Sequence, residues 1–266
     1  MRRRYCRIIM LKILKLGGSI ITDKSRLATA RLEQISRIAH EIAGSEDLIV
    51  VHGAGSFGHI HARNFGLPDR FSVEGLLKTH LSVSDLNRTV VEALHDAGVD
   101  ALPVHPLSSV VLRDGRIHLM STEVITEMLR RGVVPVLHGD VAVDVSRGAG
   151  IVSGDQLVSY LARTLGAGMV AMGTDVDGVM INGRVLSCIT PESMQSIESH
   201  LLPAKGIDVT GGMRGKLEEL VELAAIGIDS RIFNAGVAGN VRRALSGEQL
   251  GTLITGREHG DGPQEA

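Results

Sequence analysis

Short apolar runs recur along the chain and predict the strands of a β-sheet. The runs are KILKL (12–16), LIVV (48–51), ALPV (101–104), VVPVL (133–137), MVAM (169–172) and RIF (231–233). Between them, apolar residues recur at helical spacing, as in the segment 72–97 and in the segment 153–165. This alternation predicts βαβ units, a largely parallel sheet and helices on both of its faces.

Three turn sequences interrupt the alternation. They are RDGR (113–116), SRGAG (146–150) and INGR (181–184). Each is typical of a β-hairpin, and Asn-Gly in particular suits a type I′ turn. We therefore expect a sheet that is mixed at its margins.

Composition excludes some classes of function. The chain has 266 residues, a net charge of -2, and only 2 Tyr, 4 Phe and no Trp, which argues against nucleic-acid binding. Cys6 and Cys188 lack metal-ligand spacing and fit a reducing cytoplasm. No apolar run is long enough to predict a membrane span, and the basic opening MRRRYCRIIM lacks the apolar core of a signal peptide. Without a linker or repeat, residues 1–266 are expected to form one domain ending in a flexible tail, 257–266.

The first predicted strand leads into a glycine turn, LKLGGSIITDK. Lys15 precedes Gly17, Gly18 and Ser19, and Lys24 follows them. Adjacent glycines after a parallel strand let backbone N–H groups approach an anion closely. The segment is therefore either a phosphate loop or a plain tight turn, and it matches neither of the common nucleotide-binding glycine motifs.

The second strand ends in a similar way, with HGAGSFGH. Gly53 and Gly55 could face the first glycine turn across the crevice at the carboxyl ends of the strands, where open α/β sheets bind ligands. His59 is either a donor to a bound phosphate or a surface histidine in a loop. His52 directly follows an apolar run, which favours a structural role.

A third cluster follows the strand VVPVL. Ser153 and Gln156 form a capping-box pattern, and Asp155 falls in the first turn of the helix that they begin. Asp155 either compensates the helix dipole or orients lysines in the crevice. Asp140 and Asp144 are competing candidates for the second role.

The last cluster combines GTDVDGVM (173–180) with IDVTGGMRGKLEEL (207–220). Gly211 and Gly212 are expected to open a helix, with Lys216 in its first turns. A lysine there opposes the helix dipole, which favours an anion ligand. The alternative is a solvated lysine beside the glutamates of the same helix.

These motifs, in this order, resemble the amino acid kinase superfamily, from Lys12 to about Gly256. Within it, GGSIITDK, GAGSFGH, HGD and IDVTGGMRGK are similar to archaeal isopentenyl phosphate kinases, while the first nine residues match nothing in the pattern. The resemblance implies a three-layer αβα sandwich with a central, mainly parallel open sheet. It also implies an acceptor-binding lobe at about 10–165 and a nucleotide-binding lobe at about 166–256.

The function implied by the resemblance is ATP-dependent phosphorylation of isopentenyl phosphate to isopentenyl diphosphate. Mg²⁺ would be carried on ATP, and the protein would be a cytoplasmic homodimer with no resident metal site. A kinase for another phosphate or phosphonate, such as fosfomycin, and a non-catalytic binding module on the same fold are the alternatives. A phosphate acceptor is already ionised at neutral pH, so its attack needs no general base.

The resemblance also implies roles for individual residues. Residues near ATP would be Lys15, Gly17, Gly18, Ser19, Gly55, Thr174, Asp175, Gly178, Gly212 and Lys216. Residues near the acceptor phosphate would be Gly53, Ala54, Gly55, His59 and Gly154. Lys15, Lys24, Lys216, His59 and Asp155 would serve the transfer itself, with Asp155 organising the lysines. Val73, Leu76 and Leu77 are candidates for the wall of a pocket for the acceptor's hydrocarbon tail.

Overall fold

The computed structural model describes residues 10–67, 71–198 and 212–257, which form fourteen strands and ten helices. The strands are β1 (Lys12–Leu16), β2 (Leu48–His52), β3 (Ala101–Pro103), β4 (Val110–Arg113), β5 (Arg116–Met120), β6 (Val134–His138), β7 (Asp140–Asp144), β8 (Gly148–Val152), β9 (Met169–Thr174), β10 (Met180–Ile181), β11 (Arg184–Val185), β12 (Cys188–Ile189), β13 (Ser230–Asn234) and β14 (Thr252–Ile254). The helices are α1 (Gly18–Ile21), α2 (Leu32–Ile42), α3 (Gly55–Asn64), α4 (Val73–Asp96), α5 (Pro106–Ser109), α6 (Glu123–Arg130), α7 (Gly154–Leu165), α8 (Pro191–Glu198), α9 (Gly212–Ala225) and α10 (Asn240–Leu245).

Eight strands form the central sheet, in the order β12-β14-β13-β9-β1-β2-β6-β3. All six strands predicted from apolar runs belong to it, and β1 lies between its parallel neighbours β2 and β9. The pair of β13 with β14 is antiparallel, whereas the other pairs described in this sheet are parallel. The prediction of a mainly parallel central sheet is confirmed.

The central sheet is mixed at one margin, as expected, because β14 pairs antiparallel with β13, but the predicted hairpins form elsewhere. RDGR joins β4 to β5 and SRGAG joins β7 to β8, and these strands build a separate four-stranded sheet in the order β5-β4-β7-β8. INGR joins β10 to β11 as a pair of their own. Because β4 pairs with β7, the two larger hairpins satisfy each other's backbone groups and do not need the edge of the central sheet. That edge is made instead by β12 and β14, two strands of two and three residues that the sequence analysis missed.

Helices cover both faces of the central sheet, as predicted. Successive residues of a strand point to opposite faces, and β1 follows this rule. Ile13 packs in a buried cluster with Leu157 of α7 and with residues of α9. Leu14 packs in a second cluster with Leu86 of α4 and with residues of α2 and α10. The result is the expected three-layer αβα arrangement, with two apolar layers that hold the strand ends rigidly in place.

The helix α7 begins where the sequence predicted. Ser153 is its N-cap, and the Ser153 hydroxyl accepts a hydrogen bond of 3.1 Å from the Gln156 backbone N–H. The Gln156 side chain does not complete the capping box, because its Oε1 accepts no hydrogen bond among the described residues, while its amide N–H donates to the Gly115 carbonyl in the β4–β5 turn. This start places Asp155 in the first turn, at the carboxyl end of the sheet.

Parts of the sequence-based interpretation lie outside the described residues. These parts are residues 1–9, Gly211 and nearly all of the expected tail, 258–266. Among the helices of the described residues, none combines the length and apolar character needed to span a membrane.

Candidate active site

Three charged side chains from different elements meet at the carboxyl end of β1. Lys15 Nζ lies 3.0 Å from Asp155 Oδ1, and Lys216 Nζ lies 2.8 Å from the same oxygen. The exposed fractions of the Lys15, Asp155 and Lys216 side chains are 8, 14 and 9 %. Asp155 of α7 therefore bridges a lysine of β1 and a lysine of α9, and we call these three residues the charged cluster.

Burial and mutual charge set the protonation of the charged cluster. Burial lowers the pKa of Lys15 to about 8; the Asp155 carboxylate opposes this shift and the Lys216 charge adds to it. Burial alone would raise the pKa of Asp155, but the charges of both lysines lower it well below its usual range. With both lysines protonated the cluster carries one net positive charge, which suits an anionic ligand.

The two competing aspartates serve other partners. Asp140 Oδ2 accepts a hydrogen bond of 2.8 Å from His80 Nδ1. Asp144 accepts hydrogen bonds from backbone N–H groups of both hairpin turns, including that of Gly115 at 2.7 Å. Of the three candidates, Asp155 is therefore the one that contacts the lysines.

The two glycine turns are in direct contact. A Cβ atom on Gly18 would lie 2.6 Å from the Gly55 backbone nitrogen, and one on Gly53 would lie 2.7 Å from the Gly18 nitrogen. Gly55 also has a φ of +51°, and a Cβ there would lie 2.2 Å from the Thr22 hydroxyl oxygen. Any larger residue would push the turns apart, so these glycines are required for the close approach of the two backbones.

Two helices direct their N-termini to this junction. A Cβ on Gly154, the first residue of α7, would lie 3.4 Å from Lys15 Cε and 3.5 Å from the His52 carbonyl oxygen. In the described part of the chain, the N–H groups of Gly154 and of Ala54, which precedes α3, donate no hydrogen bond. Such N–H groups at helix N-termini are suited to bind an anion.

The end of β9 adjoins the first glycine turn. Gly17 N–H donates to the Gly173 carbonyl at 2.8 Å, and the Thr174 hydroxyl donates to a nearby backbone carbonyl. Asp175 is exposed just beyond the strand. Gly178 is buried, and a Cβ there would lie 2.6 Å from a threonine hydroxyl of β14. These candidate nucleotide residues thus share one end of the sheet with the charged cluster.

The remaining candidates are placed less uniformly. His59 is half-buried in the second turn of α3, so its assignment to a loop was wrong: the helix begins at Gly55. Ser19 is half-buried in α1, and Gly212 is the first described residue of α9. Lys24 is exposed in the turn after α1, and in the described ranges no ion pair joins it to the charged cluster.

The candidate wall residues lie at the start of α4. Leu76 is buried, whereas Val73 and Leu77 expose 68 and 53 % of their surface. Of these three candidates, only Leu76 is therefore part of the packed interior.

Sequence reasoning missed a row of four histidines beside the glycine turns, apart from the structural role expected for His52; two of them are buried and two half-buried. His52 and His138 end the adjacent strands β2 and β6 in register, and their rings stack with centroids 5.7 Å apart. His105 and His80 extend the row towards α5 and α4. A signal was present, since both strands end in His-Gly, but their side-by-side pairing required the sheet order.

Comparison with known proteins gives consistent relatives. A family model described as the amino acid kinase family matches residues 10–234. The isopentenyl phosphate kinase of Methanothermobacter thermautotrophicus is 39 % identical over 267 residues, covering 92 % of this chain and 99 % of the relative. That of Methanocaldococcus jannaschii is 36 % identical over 261 residues, covering 92 and 98 %. A solved structure described as isopentenyl phosphate kinase is similar with a TM-score of 0.79 at 35 % identity, covering 92 % of this chain and all of the other.

Proposed function

The chain belongs to the amino acid kinase family, and we propose on this basis that it transfers the γ-phosphoryl group of ATP to isopentenyl phosphate. The products are isopentenyl diphosphate and ADP. Relatives named isopentenyl phosphate kinase, similar over nearly their whole length, support this acceptor. The observation that carries the proposal is the charged cluster, a buried site of net positive charge beside two glycine turns.

In the proposed mechanism the charged cluster stabilises the group in transfer. Lys15 and Lys216 neutralise charge on the phosphoryl oxygens, in a site from which water is largely excluded. Asp155 holds both ammonium groups within 3.0 Å of one carboxylate oxygen. The acceptor oxygen is already ionised, so positioning and charge neutralisation supply the rate without a general base.

The two substrates occupy different glycine turns in this proposal. ATP phosphates bind at Gly17, Gly18 and Ser19. The nucleotide extends past Gly55, Thr174, Asp175, Gly178 and Gly212. The acceptor phosphate binds the N–H groups at Gly53, Ala54, Gly55 and Gly154, with His59 as a further donor from α3. Lys24, which is exposed in the turn after α1, serves the transferring group by moving towards the bound substrates.

The proposed function also involves Mg²⁺, two lobes of the chain and a dimer. Mg²⁺ enters as a part of the nucleotide substrate. The acceptor site lies in a lobe of about 10–165 and the nucleotide site in a lobe of about 166–256. We also infer a cytoplasmic homodimer, in line with what the family resemblance implies.

A coupled assay of ADP release tests the proposal. The purified protein is given ATP and Mg²⁺ with isopentenyl phosphate, fosfomycin or uridylate, and the product is identified by phosphorus NMR. We expect kcat/KM for isopentenyl phosphate to exceed the others by about 100-fold or more, a preference of about 2.7 kcal/mol. If the protein prefers fosfomycin, fosfomycin replaces isopentenyl phosphate as the proposed acceptor. If none of the three acceptors leads to ADP release, the result favours a non-catalytic binding module.

A further inference from the structure

The hydrogen bonds of His52 fix its tautomer. Its Nδ1 lies 3.0 Å from the Gly53 carbonyl oxygen, and because a carbonyl only accepts, Nδ1 must carry the proton. Its Nε2 lies 3.0 Å from Asn87 Nδ2 of α4 and accepts that hydrogen bond. Burial also lowers the pKa of His52 to about 4. The ring is therefore neutral near pH 7, with one nitrogen donating and the other accepting.

His138 repeats the arrangement one strand away. Its Nδ1 donates to the Gly139 carbonyl at 3.1 Å, and its Nε2 accepts from His105 Nδ1 at 2.9 Å. The row ends at the His80–Asp140 pair. These four histidines and Asp140 are the titratable groups that face one another across β2, α4, the start of α5, β6 and β7.

Fixing a carbonyl fixes the N–H of the same peptide unit. A trans peptide is planar, so the N–H of Ala54 points away from the Gly53 carbonyl that His52 holds. A Cβ on Gly139 would lie 3.2 Å from the Ala54 nitrogen, and Gly139 N–H donates to the His52 carbonyl at 2.8 Å. His52 and His138 thus fix, by hydrogen bonds to their carbonyls, the two glycines on either side of the Ala54 N–H. That N–H donates no hydrogen bond among the described residues.

We propose that His52 and His138 are positioning residues which, through the Gly53 and Gly139 carbonyls, aim the Ala54 N–H at the phosphate of the acceptor. This inference rests on the proposed function, because it deepens the same acceptor site. The histidines do not touch substrate. Their neutral tautomers supply direction without adding a charge beside the lysines.

Two substitutions of His52 separate positioning from packing. His52→Asn keeps a donor where Nδ1 was, because the asparagine amide nitrogen is also bonded to Cγ. His52→Leu fills a similar space without a donor. We expect His52→Leu to raise KM for isopentenyl phosphate about tenfold, the effect of about one lost hydrogen bond, with KM for ATP unchanged. His52→Asn should stay within about threefold of the wild type for both substrates.

A matched control is available on α2. His40 Nδ1 also contacts a backbone carbonyl, that of Ser36 at 2.8 Å, but on the exposed face of the helix. His40→Leu should leave both KM values unchanged. If His52→Leu does not fold, Asn87→Leu replaces it as the test. This change removes the hydrogen bond to His52 Nε2, and it should raise KM for isopentenyl phosphate while KM for ATP stays unchanged.

The outcomes distinguish this inference from the proposed function. If the wild type phosphorylates isopentenyl phosphate but His52→Asn and His52→Leu are equally impaired, or lose only kcat, the histidines act through packing and the inference is wrong. An Asn87→Leu protein with wild-type KM values overturns it as well. If the wild type itself has no such activity, the proposed function fails first.

Discussion

The charged cluster and the histidine row lie next to each other at Gly154. They differ in the charge of their side chains. In the charged cluster, Lys15 and Asp155 remain ionised by pairing. In the histidine row, His52 and His138 stay neutral, and each donates a hydrogen bond to the carbonyl of the glycine that follows it. Burying an ion is costly, so a protein keeps one where charge is needed. In the proposed mechanism the charged cluster therefore supplies charge to the reaction, whereas His52 and His138 supply only geometry.

Removal of a cluster charge should have the largest effect. We expect Lys15→Met to lower kcat for isopentenyl phosphate about 10³-fold, or about 4 kcal/mol, because charge on the transferring phosphoryl loses a partner in a buried site. Steady-state kinetics with both substrates measure this change. Lys216→Met should act in the same direction.

Lys12 offers a control on the same strand. It lies at the opposite, amino end of β1. Lys12→Met should keep kcat within about twofold. If Lys15→Met were as active as Lys12→Met, the cluster would not supply charge to the reaction, and the contrast with the histidine row would lose its meaning.

Neutralising Asp155 should have a smaller effect that depends on pH. Asp155 raises the pKa of Lys15, against burial. In Asp155→Asn that support is lost, so Lys15 deprotonates at lower pH and kcat/KM at pH 7.5 should fall about 100-fold. In the proposed mechanism the protonated lysine is the active form, so the rate should partly recover towards pH 6. The wild type, with a Lys15 pKa of about 8, should lose kcat/KM only at higher pH.

A pH–rate profile of both proteins checks this. Asp85→Asn, which makes the same change in an exposed pair on α4, should retain the profile of the wild type. An Asp155→Asn profile with unchanged shape would contradict the proposed coupling between Asp155 and Lys15.

The sequence predicts the parts of this protein that depend on local pattern. The six predicted strands of the central sheet were recognised because each contains a short, mainly apolar run, as is typical of parallel strands buried on both faces. Strands β12 and β14 were missed because segments as short as Cys188–Ile189 carry too little pattern. Their pairing exists only once β13 provides an edge.

Side-chain partnerships across the fold were much less predictable. In the sequence, Asp140 and Asp144 competed with Asp155 for the role of orienting the lysines, since all three follow the same strand. Asp155 contacts Lys216 across 61 positions of the chain, and only the packing of α7 against α9 brings them together. The histidine row draws its members from separate elements, and a period along one element cannot reveal such a network.

The smallest expected effect is on the free energy of unfolding, and it tests whether His52 and His138 are neutral in the folded protein. The pKa values of His52 and His138 are lowered by burial to about 4 and about 3, from 6.5. Between pH 4 and 6.5 the unfolded chain therefore binds protons that the folded chain does not, and the free energy of unfolding falls as the pH falls. Each ring should remove about 2 kcal/mol of stability between pH 7.5 and pH 5.

Urea unfolding of the wild type and of His52→Asn at several pH values measures this loss. The variant lacks one titrating ring. The slope of its unfolding free energy against pH should therefore be smaller by the equivalent of about one bound proton. His80, whose pKa Asp140 raises, acts in the opposite direction, but equally in both proteins. The charged cluster does not interfere, because the lowered pKa of Asp155 costs stability only below about pH 4 and that of Lys15 acts only above about pH 8. Parallel curves for the two proteins would mean that His52 is not held neutral in the folded state.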